Sequence, residues 1–244
     1  MRAVPVAVAA LLAASLIGAE AAAQGVVTDR PETTQQQALV DRAKATVEHL
    51  KADPNFSNFN ELLHQAKGVV IVPELIKAGL IIGGAGGSGL LLVRDAKGEW
   101  SDPAFYNVAA ASIGFQIGAQ VSEVVLVVMN QPAVEKLLTD RVTLGADVSV
   151  AAGPMGGSLQ AGTTTNVGAD IYTFASSKGL FGGLALEGGM LTPDDGANRV
   201  YYGNNPTARE IVIARRFQNP AADPLREALP PAWPLPLPTA KDRP

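Results

Sequence analysis

The 244-residue chain carries 19 lysines and arginines against 23 aspartates and glutamates, for a net charge of −4, and 47% of it is hydrophobic. That is enough apolar material for one sizeable core, while the acidic balance and 5% aromatic content speak against nucleic acid, whose binding needs cations and stacking rings gathered on one face. With no cysteine there is no disulfide, thiolate metal site, cysteine nucleophile or cysteine-borne lipid anchor.

At the N-terminus, Arg2 precedes an uncharged, mostly apolar run from Ala3 to Ile17, and Ala21-Ala22-Ala23 follows. A positive start, a short apolar stretch and small residues at a cleavage point predict a signal peptide over residues 1–23, cut before Gln24. The alternative is a retained anchor, but the stretch is shorter than the roughly 20 residues that span a bilayer. Export to a bacterial envelope, periplasmic or secreted, is the expectation. Residues 24–34 read as a flexible leader to the first helix.

From Gln35 to Ala52 the apolar residues Leu39, Ala43, Val47 and Leu50 recur at spacings of four, four and three, which lines one face of a helix. Thr33 or Thr34 is the expected cap, and Asp53-Pro54 the stop. Asn58 and Glu61 have capping-box spacing, which predicts a second short helix with Phe59, Leu62, Leu63 and Ala66 on one face.

The character changes at Gly68, because 23 of the 25 glycines lie between Gly68 and Gly203, among short apolar runs. Val69 to Val72, Leu90 to Val93, Glu123 to Met129 and Leu184 to Leu186 are strand-length and bounded by turn residues. Asp95-Ala96-Lys97-Gly98 predicts a hairpin turn, and Gln131-Pro132 a short helix through Glu135 and Leu138 with proline at its start. The fold class expected is α+β: a predominantly antiparallel, strongly curved or barrel-like Gly-rich sheet with short N-terminal helices. Eight of the 17 prolines fall between Gln218 and Pro244, so residues 218–244 are expected to be an extended, poorly ordered tail, either a solvated spacer or a Pro-rich ligand.

Several patterns look catalytic. Gly84-Ala85-Gly86-Gly87-Ser88-Gly89 satisfies G-x-G-x-x-G, yet a dinucleotide site needs the loop to open a helix, and Leu90 to Arg94 reads as a strand before a turn. His49 and His64, the only histidines, both fall in the helical N-terminal part, where no spacing builds a zinc site or a triad; surface helix positions are expected. Asp194 and Asp195 sit in a turn-like Pro193-Asp194-Asp195-Gly196 segment, with a calcium ligand or acid/base pair as the alternative. No enzyme activity, cofactor or metal is expected.

One series of motifs runs through the whole body. Ala66-Lys67-Gly68-Val69, Lys77-Ala78-Gly79 with Gly83-Gly84, and Gly98-Glu99-Trp100-Ser101-Asp102-Pro103-Ala104-Phe105 are followed by Ser112 to Gly118, Leu144-Gly145-Ala146, Ala152-Gly153-Pro154-Met155-Gly156, Ser177-Lys178-Gly179-Leu180-Phe181 and Tyr201-Tyr202-Gly203. In order and spacing this series resembles the SYLF domain, a lipid-binding family also described as an actin-binding domain in yeast, over roughly Leu39 to Arg215. The resemblance implies a domain over residues 35–217 that binds membrane lipid, phosphoinositides being the ligands of eukaryotic members, and has no known reaction. Gly157 stands where the family usually carries arginine after Gly-Pro-x-Gly.

The residues point the same way. Lys67, Lys77, Arg94 and Lys178 lie beside Gly-rich turns, and Lys178 is followed by Leu180 and Phe181, as in an interfacial loop. Each cation also reads as a solvated turn residue, and Leu180 with Phe181 as a buried pair. The partner expected is membrane phospholipid in peripheral contact. A structural or protein-interaction module of the envelope, using the sheet and the Pro-rich tail, is the alternative.

Overall fold

The computed structural model describes residues 31–79, 82–113, 118–153, 168–177, 186 and 188–232. The stretch expected to be a signal peptide, residues 1–23, and Lys178, Leu180, Phe181 and Gly157 therefore lie outside the described residues, as do residues 184 and 185 of one expected strand.

Helix α1 runs Pro31–Ala52 and buries Leu39, Val40, Ala43, Val47 and Leu50, the face that the spacing predicts. It starts earlier than expected, so Thr33 and Thr34 lie inside its first turn instead of capping it. Asp53 ends it and caps a short 3-10 turn at Pro54–Phe56 by accepting from the Asn55 N–H. In α2 (Phe59–Gln65) the expected capping box does not form, because the Asn58 backbone is already helical (φ −87°, ψ −4°). An N-cap side chain reaches back only from an extended backbone, and Asn58 Nδ2 is left buried and unpaired.

Eight strands form one sheet in the order β5-β8-β3-β2-β1-β4-β7-β6. Their ranges are β1 Gly68–Gly79, β2 Ile82–Val93, β3 Ala104–Ile113, β4 Gly118–Val128, β5 Val142–Thr143, β6 Val150–Ala152, β7 Ile171–Ser177 and β8 Met190–Pro193. All pairs are antiparallel except β6 with β7. Laid flat, eight strands would separate β5 from β6 by about 34 Å. Yet Thr143 and Val150 are joined by a connection whose full stretch is roughly 25 Å, so the sheet must curl. The Leu144–Val148 bridge tightens that connection further, and the result is the strongly curved sheet expected.

Both faces carry a core. The cluster to which both edges contribute, including Val142, Leu191 and Ile171 with Val70, Leu91, Tyr106 and Leu126, fills the inside of the curl. It is plugged by α3 (Gln131–Leu137) through Val134 and Leu137, and by α5 (Ala208–Val212) through Ile211. Buried Tyr106 donates its hydroxyl to the Leu137 carbonyl at 2.8 Å, tying sheet to plug. The outer face packs Ile71, Leu90, Phe105, Val125 and Phe174 against α1, α2 and α6 (Asp223–Ala228). Helix α3 begins as predicted, with Pro132 in its first turn and Asn130 capping Ala133. The turn at Asp95–Gly98 also forms, with Gly98 at φ +89° and the Asp95 carboxylate accepting from Lys97 and Glu99 N–H groups.

Strand β1 is bulged around Pro73 and Glu74: its register shifts by one residue against both β2 and β4. Proline has no N–H to give the ladder, which fits a bulge position. The Gly84–Gly89 segment lies wholly inside strand β2, and close approach of the β1 backbone explains two of its glycines. A Cβ on Gly87 would come within 2.4 Å of the Glu74 carbonyl oxygen, and one on Gly89 within 2.9 Å of that of Ile71.

The C-terminal expectation needs correction up to residue 232. Pro220 and Pro224 start a 3-10 turn (Pro220–Ala222) and α6, a position where the missing N–H costs nothing. Ala222, Leu225 and Leu229 are buried in the outer core, Asn219 N–H donates to Asp102, and the Pro230 carbonyl accepts from Trp100 Nε1 at 2.8 Å. Proline density alone signals extension; the interspersed leucines are what dock this segment. Residues 233–244 lie outside the described residues.

Candidate functional site

Of the cations singled out by sequence, the structure disperses Lys67, Lys77 and Arg94. Lys67 precedes β1 and Lys77 lies near its far end, ten residues away, which at strand rise is roughly 33 Å. Both are at least partly exposed.

Arg94 is a correction: it is 7% exposed, and its guanidinium is consumed inside the protein. Nη1 donates to the His64 carbonyl at 2.7 Å and Nη2 to the Leu63 and Pro230 carbonyls at 3.1 and 2.7 Å, with the plane 4.2 Å over the Trp100 ring centroid. Desolvation by burial pushes its pKa down to about 10, still charged at neutral pH. Arg94 therefore clamps α2, the β2 turn and the C-terminal segment together, and it presents no charge to a lipid surface. The turn position was visible in the sequence; the carbonyls waiting there were not.

His49 and His64 are helix residues, as expected. His49 Nδ1 meets Glu123 Oε2 at 2.5 Å, and His64 Nδ1 the Pro231 carbonyl at 2.8 Å. Asp194 caps α4 (Asp195–Tyr202) by accepting from the Ala197 N–H, and its other oxygen accepts from Asn107 Nδ2, so this aspartate is a helix cap. Among the described residues no group of three acidic or histidine side chains could hold a metal, and no helix is long and apolar enough to cross a membrane.

Among the described residues, what the fold does assemble is a bare strip of sheet. On the outer face, Met190 of β8 pairs with Ala109 of β3, Ala109 with Gly86 of β2, Gly86 with Ile76 of β1, and Ile76 with Val121 of β4. Five register partners thus form one apolar row, about 19 Å long at ordinary strand spacing. Ile76 is 51% exposed, Val121 52% and Met190 38%. Beyond it lies a row of small residues, Ala111, Gly84, Ala78 and Ala119.

On the other side a polar line marks where α1 stops covering the sheet. Arg42 Nε lies 3.8 Å from Glu74, Thr46 Oγ1 donates to Glu123, and His49 completes the line. The sequence holds one charge, Lys77, between Glu74 and Arg94, and none between Asp102 and Glu123. Alternation along β1 sends Lys77 to the opposite face from Ile76. Ser177, the last described residue before Lys178, pairs with Ser122 beside Val121, at this same end of the sheet.

Sequence reading missed Ile76, Val121, Met190 and Arg42 as site residues. Ile76 and Val121 lie outside the apolar runs that read as strands, Val69 to Val72 and Glu123 to Met129, and no local signal says that α1 ends short of them.

The described residues thus define a curled, helix-covered α+β sheet with one uncharged strip left exposed. A family model described as "Ysc84: Las17-binding protein actin regulator" matches residues 109–232, about half of the chain. The chain belongs to the Ysc84 family, in accord with its SYLF resemblance. It is 37% identical over 172 residues to "LAS seventeen-binding protein 3" of Saccharomyces cerevisiae, covering 69% of this chain and 37% of that protein. To "Protein YSC84" of the same yeast it is 36% identical over 171 residues, with 69% and 36% covered. To "SH3 domain-containing YSC84-like protein 1" of Xenopus laevis it is 35% identical over 170 residues, with 69% and 50% covered. The chain spans half or less of the length of these relatives.

Proposed function

We propose that this chain is a non-catalytic lipid-binding module, exported to the cell envelope, that rests on a phospholipid surface through the row from Met190 to Val121. The observation that carries this reading is the exposure of Ile76 and Val121 as direct cross-strand partners in a strip without charge. Isolated exposed aliphatics are ordinary, whereas an aligned row across five strands offers contiguous apolar area. Burying the remaining surface of Ile76, Val121 and Met190 would contribute roughly 2 to 4 kcal/mol before ordering costs, so the contact is weak and peripheral. Lys178, Leu180 and Phe181 stay within the proposal on sequence alone.

Flotation of residues 24–244 with phosphatidylcholine and phosphatidylglycerol liposomes, at low and high salt, tests the reading. Binding lost in the Ile76→Ser, Val121→Ser double variant supports it; equal flotation of that variant sinks it. A protein partner on the same strip is the second reading, favoured by relatives named for binding Las17. It gains if the parent ignores every liposome.

A further inference from the structure

Beside the apolar row, the N-terminal half of α1, the middle of β2 and the start of α4 enclose a cleft of about 350 Å³. That is the small end of the range for ligand sites, suited to a headgroup-sized molecule. Arg42 and Asp194 both line it, together with Gln35, Gln36 and Ser88.

The charges are opposed. Arg42 is tied only loosely, through Nε, to Glu74 at 3.8 Å, and no hydrogen bond among the described residues takes its two terminal nitrogens. Those nitrogens form the planar fork that suits phosphate. Asp194 uses one lone pair on each oxygen, for the Ala197 N–H and for Asn107 Nδ2, and each oxygen keeps another. Gln36 Oε1 is buried and has no hydrogen-bond partner among the described residues.

One guanidinium with Glu74 beside it, in a cleft that Asp194 also lines, makes a poor site for a bare anion. A bare cation would meet Arg42. A molecule with a phosphate at one end and an ammonium at the other satisfies both sides. We propose that the cleft binds a phosphate–ammonium zwitterion of the phosphoethanolamine type, its phosphate on the Arg42 fork and its ammonium on Asp194, with Gln36 and Ser88 accepting remaining N–H groups. A trimethylammonium has no N–H to give and is the weaker ligand. The source is either a lipid headgroup, which the neighbouring apolar row would bring to the cleft, or the free zwitterion. The cleft does not need the row, so this inference and the lipid reading can fail separately.

Calorimetric titration of the full chain with glycerophosphoethanolamine, glycerophosphocholine, inorganic phosphate and ethanolamine is the test. Glycerophosphoethanolamine should bind saturably, and the other three at least tenfold more weakly. Arg42→Gln, at an exposed helix position, should weaken it by roughly tenfold or more, the scale of a lost charge-assisted pair. Ile76→Ser with Val121→Ser should leave it unchanged. Phosphatidylethanolamine vesicles that recruit the protein better than phosphatidylcholine vesicles, in an Arg42-dependent way, support the headgroup source; binding of the soluble ligand alone supports the free one. No saturable binding, equal binding of inorganic phosphate, or an unaffected Arg42→Gln variant would overturn the proposal.

Discussion

Ile76 and Val121 face each other across the β1–β4 ladder as register partners, each about half exposed, one step beyond the Glu74 and Glu123 contacts that hold α1 to the sheet. Because the row carries no charge and is flanked by two glutamates, adsorption through it should depend on apolar contact. Flotation should change little between low and high salt, and the Ile76→Ser, Val121→Ser variant should lose it at both. Its urea midpoint should stay close to the parent's, since neither side chain fills a core.

Arg94 is expected to be a stability residue. Arg94→Met takes the arginine donor from the His64 carbonyl and leaves the Leu63 and Pro230 carbonyls with only Ala66 N–H and Trp100 Nε1, and should cost about 2 to 4 kcal/mol in urea unfolding. Arg94→Lys should recover only part, because one ammonium cannot reproduce the planar fork over Trp100. Lys67→Ala, at an exposed turn, should stay within about 0.5 kcal/mol.

Two glycines of one motif should behave oppositely. Gly87→Ala drives a methyl into the Glu74 carbonyl of the β1 bulge and should cost about 1 to 3 kcal/mol. At Gly84 the nearest atom to an added Cβ is the Ala110 carbonyl oxygen at 3.8 Å, ordinary contact. Gly84→Ala should be neutral or stabilising by a few tenths of a kcal/mol in the same unfolding series, through a stiffer unfolded chain.

Asp170 links the α3 cap to the β6 edge. Its carboxylate accepts from Asn130 Nδ2, then from the Ser149 N–H and hydroxyl, and these bonds hold its pKa below the usual value. A depressed carboxylate adds stability that is fully present above its unfolded pKa, about 4, and is lost as pH falls through the lower folded value. Asp170→Asn should therefore be less stable than the parent by about 1 to 2 kcal/mol at pH 7. The gap should narrow below pH of about 4. A gap that held constant down to pH of roughly 2 would show that the charge is not the source.

Export gives a direct readout. Mass spectrometry of the envelope fraction should find Gln24, or a residue within a few positions, as the N-terminus. An intact Met1 on a protein retained inside the cell would remove the envelope from the proposal.

What the sequence determined by itself was local or repeated along the chain. The Leu39, Ala43, Val47, Leu50 spacing specified the buried face of α1, Asp95 to Gly98 the turn, Pro132 the start of α3, and the ordered motifs the family. Each signal lies within one element, or in an order of residues that folding does not change. Tertiary structure decided where those elements end up against one another. Arg94 reads as a turn cation until carbonyls from residues 63, 64 and 230 converge on it. The tail reads as extended until Leu225 and Leu229 find the outer core. Ile76 and Val121, 45 positions apart, became an exposed pair because a bulge at Pro73 and Glu74 reset the β1 register and α1 stopped one step short of them. Register and coverage depend on which distant residues share a ladder, and no local periodicity records that.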